Sequence, residues 1–165
     1  MHCVISKIES DHDDISRLSR ETLEILVVTD SITSPIRYRA VLKRALRIRI
    51  IWESHVRIWS EISAFLSGKE PRLVSCLHDL EIEQRNLARE LKLLTPHRWP
   101  RSTHLGLNSL RIQAFQTLPR LLRALQQEEL YILPALHESV SPRVAVHAPA
   151  VAEENQVVIH RSVPA

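Results

Sequence analysis

The chain has 165 residues, enough for one domain with a substantial core and too few for two ordinary ones. Only two glycines, in a composition 44% hydrophobic and 25% charged, argue against a turn-rich β fold, so the expected class is all-α. With 22 Lys and Arg against 19 Asp and Glu the formal charge is +3, too mild to point to any particular anionic partner.

Cys3 and Cys76 make neither a disulfide framework nor a zinc spacing, so a reduced thiol chemistry is expected. The opening MHCVISKIESDHDD has no apolar run of signal-peptide length, and no segment is apolar over a membrane span. The expectation is a cytoplasmic protein with no membrane association.

In chain order, 4–29 reads as a first helix, with Val4, Ile8, Ile15, Leu18, Thr22, Ile25 and Leu26 on one face and His12 at its border. The break at 30–35 ends in Ser34 and Pro35, a cap and first-turn pair for a second helix over 35–67. There Ala45, Ile48, Trp52, His55, Trp59, Ile62 and Leu66 recur at spacings of 3 and 4, placing His55 in a core position. Arg37, Arg39, Lys43, Arg44, Arg47, Arg49 and Arg57 lie mostly off that seam and read as a solvated outer face; no nucleic-acid recognition motif accompanies them. Trp52 and Trp59 read as core filling.

Gly68 and Pro71 separate a third helix over 71–94, whose seam of leucines is interrupted by Gln84, while His78 points away from it. Residues 95–108, with Pro96, Pro100 and Gly106, read as a loop carrying His97 and His104. The fourth helix is expected from Asn108 or Ser109, with Pro119 kinking or splitting it and Pro134 bending it near its end. Its stripe of Leu118, Leu122, Leu125, Glu129, Ile132 and Leu136 carries one acid where an aliphatic residue belongs. A carboxylate in a core needs a partner, whether a proton, a cation or a counter-charge. After Val140 the pattern stops, so the chain divides into a bundle over 1–140 and a disordered tail over 141–165.

Four amphipathic helices with short connections pack as an antiparallel up-down four-helix bundle. Its topology brings His12, His55, Gln84 and Glu129 to compatible heights, in one layer near one end. No glycine-rich phosphate loop, nucleophile signature or Cys-His pair accompanies them, and His78 lacks the flanking signature of a phosphotransfer histidine.

The stretches IESDHDDISRL, IEQRNLARELKLL and LRALQQEELYILPAL resemble the first, third and last helices of hemerythrin-like (HHE) domains, over Ser6 to Leu136. That resemblance implies a bundle holding two iron ions with histidines and two bridging carboxylates. Carried over by position, His12, His55 and Glu129 are kept, Trp59 stands where one bridging acid is expected, and Leu80, Gln84 and Ala124 replace the second ion's histidines. The metal ligands so implied are His12, His55 and Glu129, for one iron, with zinc or manganese also compatible with the donor set. Two readings stay open. One is a partial, mononuclear metal site with a role in oxygen, redox or iron sensing or storage. The other is a metal-free bundle in which a His–Glu pair satisfies the acid and the molecule acts as a regulatory or interaction module, with a protein partner or a homodimer. Catalysis at a mononuclear site stays open, but no residue names a substrate and a non-enzymatic role is the expectation; nucleic acid is not an expected partner.

Overall fold

The structure is a computed structural model that describes residues 2–28, 35–66, 71–95 and 103–140. The described residues fold as α1 (His2–Val27), α2 (Pro35–Leu66), α3 (Pro71–Leu94), α4 (Thr103–Gln127), a π-helical turn over Glu128–Ile132, and α5 (Leu133–Val140). Pro35 and Pro71 open α2 and α3, where a missing N–H removes no helical bond.

The four long helices form a closed ring, α1 against α2, α2 against α3, α3 against α4 and α4 back against α1. Cross-helix partners run in opposite senses: Glu21 meets Arg44 while His12 meets His55, and Thr95 meets Arg49 while Glu81 meets Ser60. The bundle is therefore antiparallel, as the helix spacing predicts. None of its helices is long and apolar enough to cross a membrane.

The α2 seam is buried throughout: Ala45, Ile48, Trp52, His55, Trp59, Ile62 and Leu66. Three boundaries differ from expectation. α1 begins at His2 and ends at Val27, two residues short of the expected end. α4 begins at Thr103, so residues 103–108, expected as loop, are helical despite Gly106. Pro119 neither splits nor ends α4; its side is exposed, where water meets the carbonyl that its missing N–H leaves free. Gly68, His97 and the tail over 141–165 lie outside the described residues. Cys3 and Cys76 are both exposed and free.

The core has two parts. Ile15, Leu18, Ile48, Trp52, Leu87, Leu91, Leu118 and Leu125 belong to one cluster, toward the end of the bundle where α2 begins. Ile5, Ile8, Trp59, Ile62, Leu66, Leu77, Leu133 and Leu136 belong to the other. On every helix the change of cluster brackets a polar residue: His12 between Ile8 and Ile15, His55 between Trp52 and Trp59, Gln84 between Leu77 and Leu87, and Glu128 between Leu125 and Leu133. A polar layer thus crosses the bundle between two apolar halves.

Candidate metal centre

In α4 the buried stripe is Leu118, Leu121, Leu125 and Glu128, continuing in Leu133 and Leu136. The step from Glu128 to Leu133 is one residue longer than an α-helical period, and the π turn supplies it: the N–H of Leu133 donates to the carbonyl of Glu128. Pro134 gives a local reason for the wider turn. In an α-helix its ring would clash with the carbonyl of Leu130, and that carbonyl lies inside the π segment.

The expectation that Glu129 is the buried acid is therefore shifted by one position. Glu128 is fully buried, whereas the Glu129 side chain is 52% exposed. His12, His55 and Gln84 do share a buried layer, as expected, but it lies between two apolar clusters and not near one end of the bundle.

Glu128 Oε2 lies 3.0 Å from His12 Nε2, 2.8 Å from His55 Nε2 and 2.7 Å from Trp59 Nε1. Gln84 Nε2 donates to the other oxygen, Oε1, at 2.9 Å. Trp59 Nε1 is also 3.0 Å from His55 Nε2. An indole nitrogen only donates, and when His55 Nε2 carries a proton toward Glu128 that contact is between two donors, so the indole N–H belongs to the carboxylate. Glu129 reaches the layer from the rim, with Oε1 3.0 Å from His12 Nδ1. The imidazole of His12 is thus held between two carboxylates, the buried Glu128 and the half-exposed Glu129. Trp52 stacks on His55, with ring centroids 5.2 Å apart, and donates its own N–H to the Gln84 carbonyl at 3.1 Å.

Burial pushes the Glu128 carboxyl up, but the hydrogen bonds of His12 and His55, the attraction of His55 and the Gln84 amide outweigh it and hold it at about 2. For His12, burial disfavours the cation, yet Glu128 and then Glu129 win, and its pKa lies above the usual histidine value. With carboxylates at both nitrogens, His12 donates from both in the absence of a metal.

Among the described residues, one group of histidine, cysteine and acidic side chains can hold an ion: His12, His55 and Glu128, with one ligand atom each and all three atoms within 4.8 Å of one another. Ligands bonded to one ion at about 2.1 Å stand roughly 3 Å apart when they are cis, which matches the separations from Oε2. Two imidazoles and a carboxylate are borderline-to-hard donors suited to iron, zinc or manganese. The surroundings also match: Glu129 would orient His12 through Nδ1, while Gln84 and Trp59 fix the carboxylate. His55 Nδ1, by contrast, is buried with no partner among the described residues.

A second ion fits poorly. The side chains of Leu80 and Ala124 have no donor atom, and Gln84, whose Nε2 donates to Glu128, leaves only a neutral amide oxygen, a weaker ligand than an imidazole. The indole of Trp59, the other polar group at the carboxylate, cannot ligate either.

The layer opens to solvent on the α1–α5 side through a cleft of about 600 Å³ lined by Glu9, His12, Asp13, Glu129, Leu133, Pro134 and His137. Trp59, which its spacing explains as core filling, binds the carboxylate, and the buried acid stands one residue before the position that a constant period predicts. The signals available were the Glu128-Glu129 pair and Pro134 six residues beyond Glu128. No family model, no curated protein and no solved structure matches this chain.

Proposed function

We propose that the chain is a hemerythrin-like bundle that binds one divalent transition-metal ion through His12 Nε2, His55 Nε2 and Glu128 Oε2, for sensing or storage of iron, oxygen or redox state. The observation that carries this reading is the convergence of these three ligand atoms from three different helices in one buried layer. Such an ion, when bound, supplies Lewis acidity or one-electron chemistry at positions its protein ligands leave open. The chain's own residues do the rest. Glu129 holds the Nδ1 proton of His12, so that Nε2 faces inward, and Gln84 and Trp59 hold Glu128. The two apolar clusters keep bulk water to the cleft beside Glu129. Binding requires His12 to give up its Nε2 proton, so metal affinity falls as pH is lowered.

The test is metal content per chain on untagged protein purified without chelator, then after anaerobic loading with Fe(II), beside His55→Ala. About one equivalent, lost in the variant while helix content by circular dichroism persists, supports the reading. Two equivalents of iron would overturn the single-ion assignment.

A second reading is favoured by one observation: Glu128 already has four N–H donors among the described residues, so its charge is satisfied without a metal ion. On that reading the layer is structural and the molecule is a metal-free interaction module. Absence of metal after loading selects it.

A further inference from the structure

The outer face of α2 concentrates positive charge. Between Pro35 and Trp52 the sequence has six cations, Arg37, Arg39, Lys43, Arg44, Arg47 and Arg49, and no acid. Two of these are used internally, Arg44 by Glu21 and Arg49 by Glu53. Arg39, Lys43 and Arg47 are exposed and form no ion pair among the described residues, and neither does Arg57 further along the helix. These four fall on one face, because their steps of 4, 4 and 10 residues keep them within about 80° of one another around an α-helix. The same face carries three exposed aliphatic side chains, Ile36 at 79%, Leu46 at 46% and Ile50 at 58%. From Ile36 to Arg57 the stripe runs roughly 30 Å, at 1.5 Å per residue.

We infer that this stripe is a docking surface for an acidic amphipathic helix of a partner protein, whose carboxylates pair with Arg39, Lys43, Arg47 and Arg57 and whose apolar side chains cover Leu46 and Ile50. Charge complementarity selects the occupant. In a two-fold dimer a second copy of the chain would set this basic face against its own like, which costs rather than stabilises. The chain's own 141–165 segment balances Glu153 and Glu154 with Arg143 and Arg161, so it brings no net negative charge. A nucleic-acid backbone gains nothing from Leu46 and Ile50, and the stripe offers no aromatic ring on which a base stacks. A membrane-surface helix presents a broad apolar face to lipid, whereas the apolar face of α2 is spent on the core, where Ile48, Trp52 and Trp59 are buried. The inference does not depend on whether His12, His55 and Glu128 hold an ion.

The test uses the full chain and a synthetic helical peptide with glutamates flanking a leucine stripe. Its scrambled isomer, random-sequence duplex DNA and phosphatidylserine vesicles serve as competing probes. Saturable one-to-one binding to the amphipathic peptide is expected, weakening with salt. Affinity should fall about tenfold or more in Arg39→Glu/Lys43→Glu/Arg47→Glu and severalfold in Leu46→Ala/Ile50→Ala, because both charge and apolar contact contribute. All of these positions are exposed, and unchanged circular dichroism confirms that each variant folds. Equal binding of the scrambled peptide, tighter binding of DNA or vesicles, or no binding of the amphipathic peptide would each overturn the proposal.

Discussion

Trp59 Nε1 lies 2.7 Å from Glu128 Oε2, so a tryptophan on the core seam of α2 donates to the carboxylate that the layer is built around. Replacing it with phenylalanine keeps most of the volume and removes the N–H. The expected result is a loss of about 1–3 kcal/mol in urea unfolding, the cost of one buried donor to a charged acceptor. Since the indole offers no ligand atom, metal stoichiometry should be the same in Trp59→Phe as in the wild type, whatever its value.

The two adjacent acids have different surroundings and should differ sharply on neutralisation. Glu128→Gln leaves buried His12 and His55 facing an amide, and truncating one partner of a buried charged pair costs about 3–5 kcal/mol. Glu129→Gln removes a half-exposed partner, for which about 1 kcal/mol or less is expected. Chemical denaturation of the two variants side by side checks the ordering, and equal effects would put the buried acid in doubt.

Acid stability follows from the depressed carboxyl. Glu128 titrates near 4.5 when unfolded and at about 2 when folded, so its contribution is present above 4.5 and is lost as pH falls from there toward 2. His12 acts in the opposite sense. Its folded pKa lies above 6.5, so its contribution is complete below 6.5 and is lost as pH rises through the raised value. Urea midpoints of metal-free protein should therefore decline on both sides of a mildly acidic optimum, and Glu128→Gln should flatten the acid limb.

The π turn can be tested by shortening it. Deleting the exposed Leu130 together with Pro134→Ala brings Leu133 to an α-helical spacing from Glu128 and removes the ring that opposes an α turn. The expected product is a continuous helix whose core and urea stability stay within about 1–2 kcal/mol of the parent, since both buried stripes keep their faces. A collapse in stability would show that the wide turn itself is required.

How legible the site was depends on helical phase. In α2 the period is unbroken, and each seam residue from Ala45 to Leu66 named from spacing is buried. His55 and Gln84 were found for the same reason: each interrupts a regular apolar seam. In α4 the pair Leu121-Leu122 fits two phases equally well, and a constant period drawn through Leu136 selects the one that runs through Glu129. A π turn adds a residue that no fixed period contains, so the phase before it cannot be read from the residues after it. Trp59 was missed for a different reason. Its apolar ring explains a seam position completely, and its N–H acquires a role only once the buried acid has been placed. The helical start at Thr103 was hidden by Gly106, read as loop punctuation although helices tolerate a glycine at a cost of about 1 kcal/mol.

The polar layer also decides how the helices may slide. Leucine-rich seams with a seven-residue repeat match nearly as well after one helix moves along its neighbour by two turns, and apolar contact alone discriminates weakly between such alignments. Here, sliding α2 by one repeat would bring Ile48 or Ile62 opposite His12 and Glu128, and would leave His55 inside an apolar cluster. Either error strands a charge or a ring nitrogen without a partner. His12, His55, Gln84 and Glu128 therefore act as a key that admits one vertical alignment of four otherwise interchangeable seams, a role they fill with or without an ion.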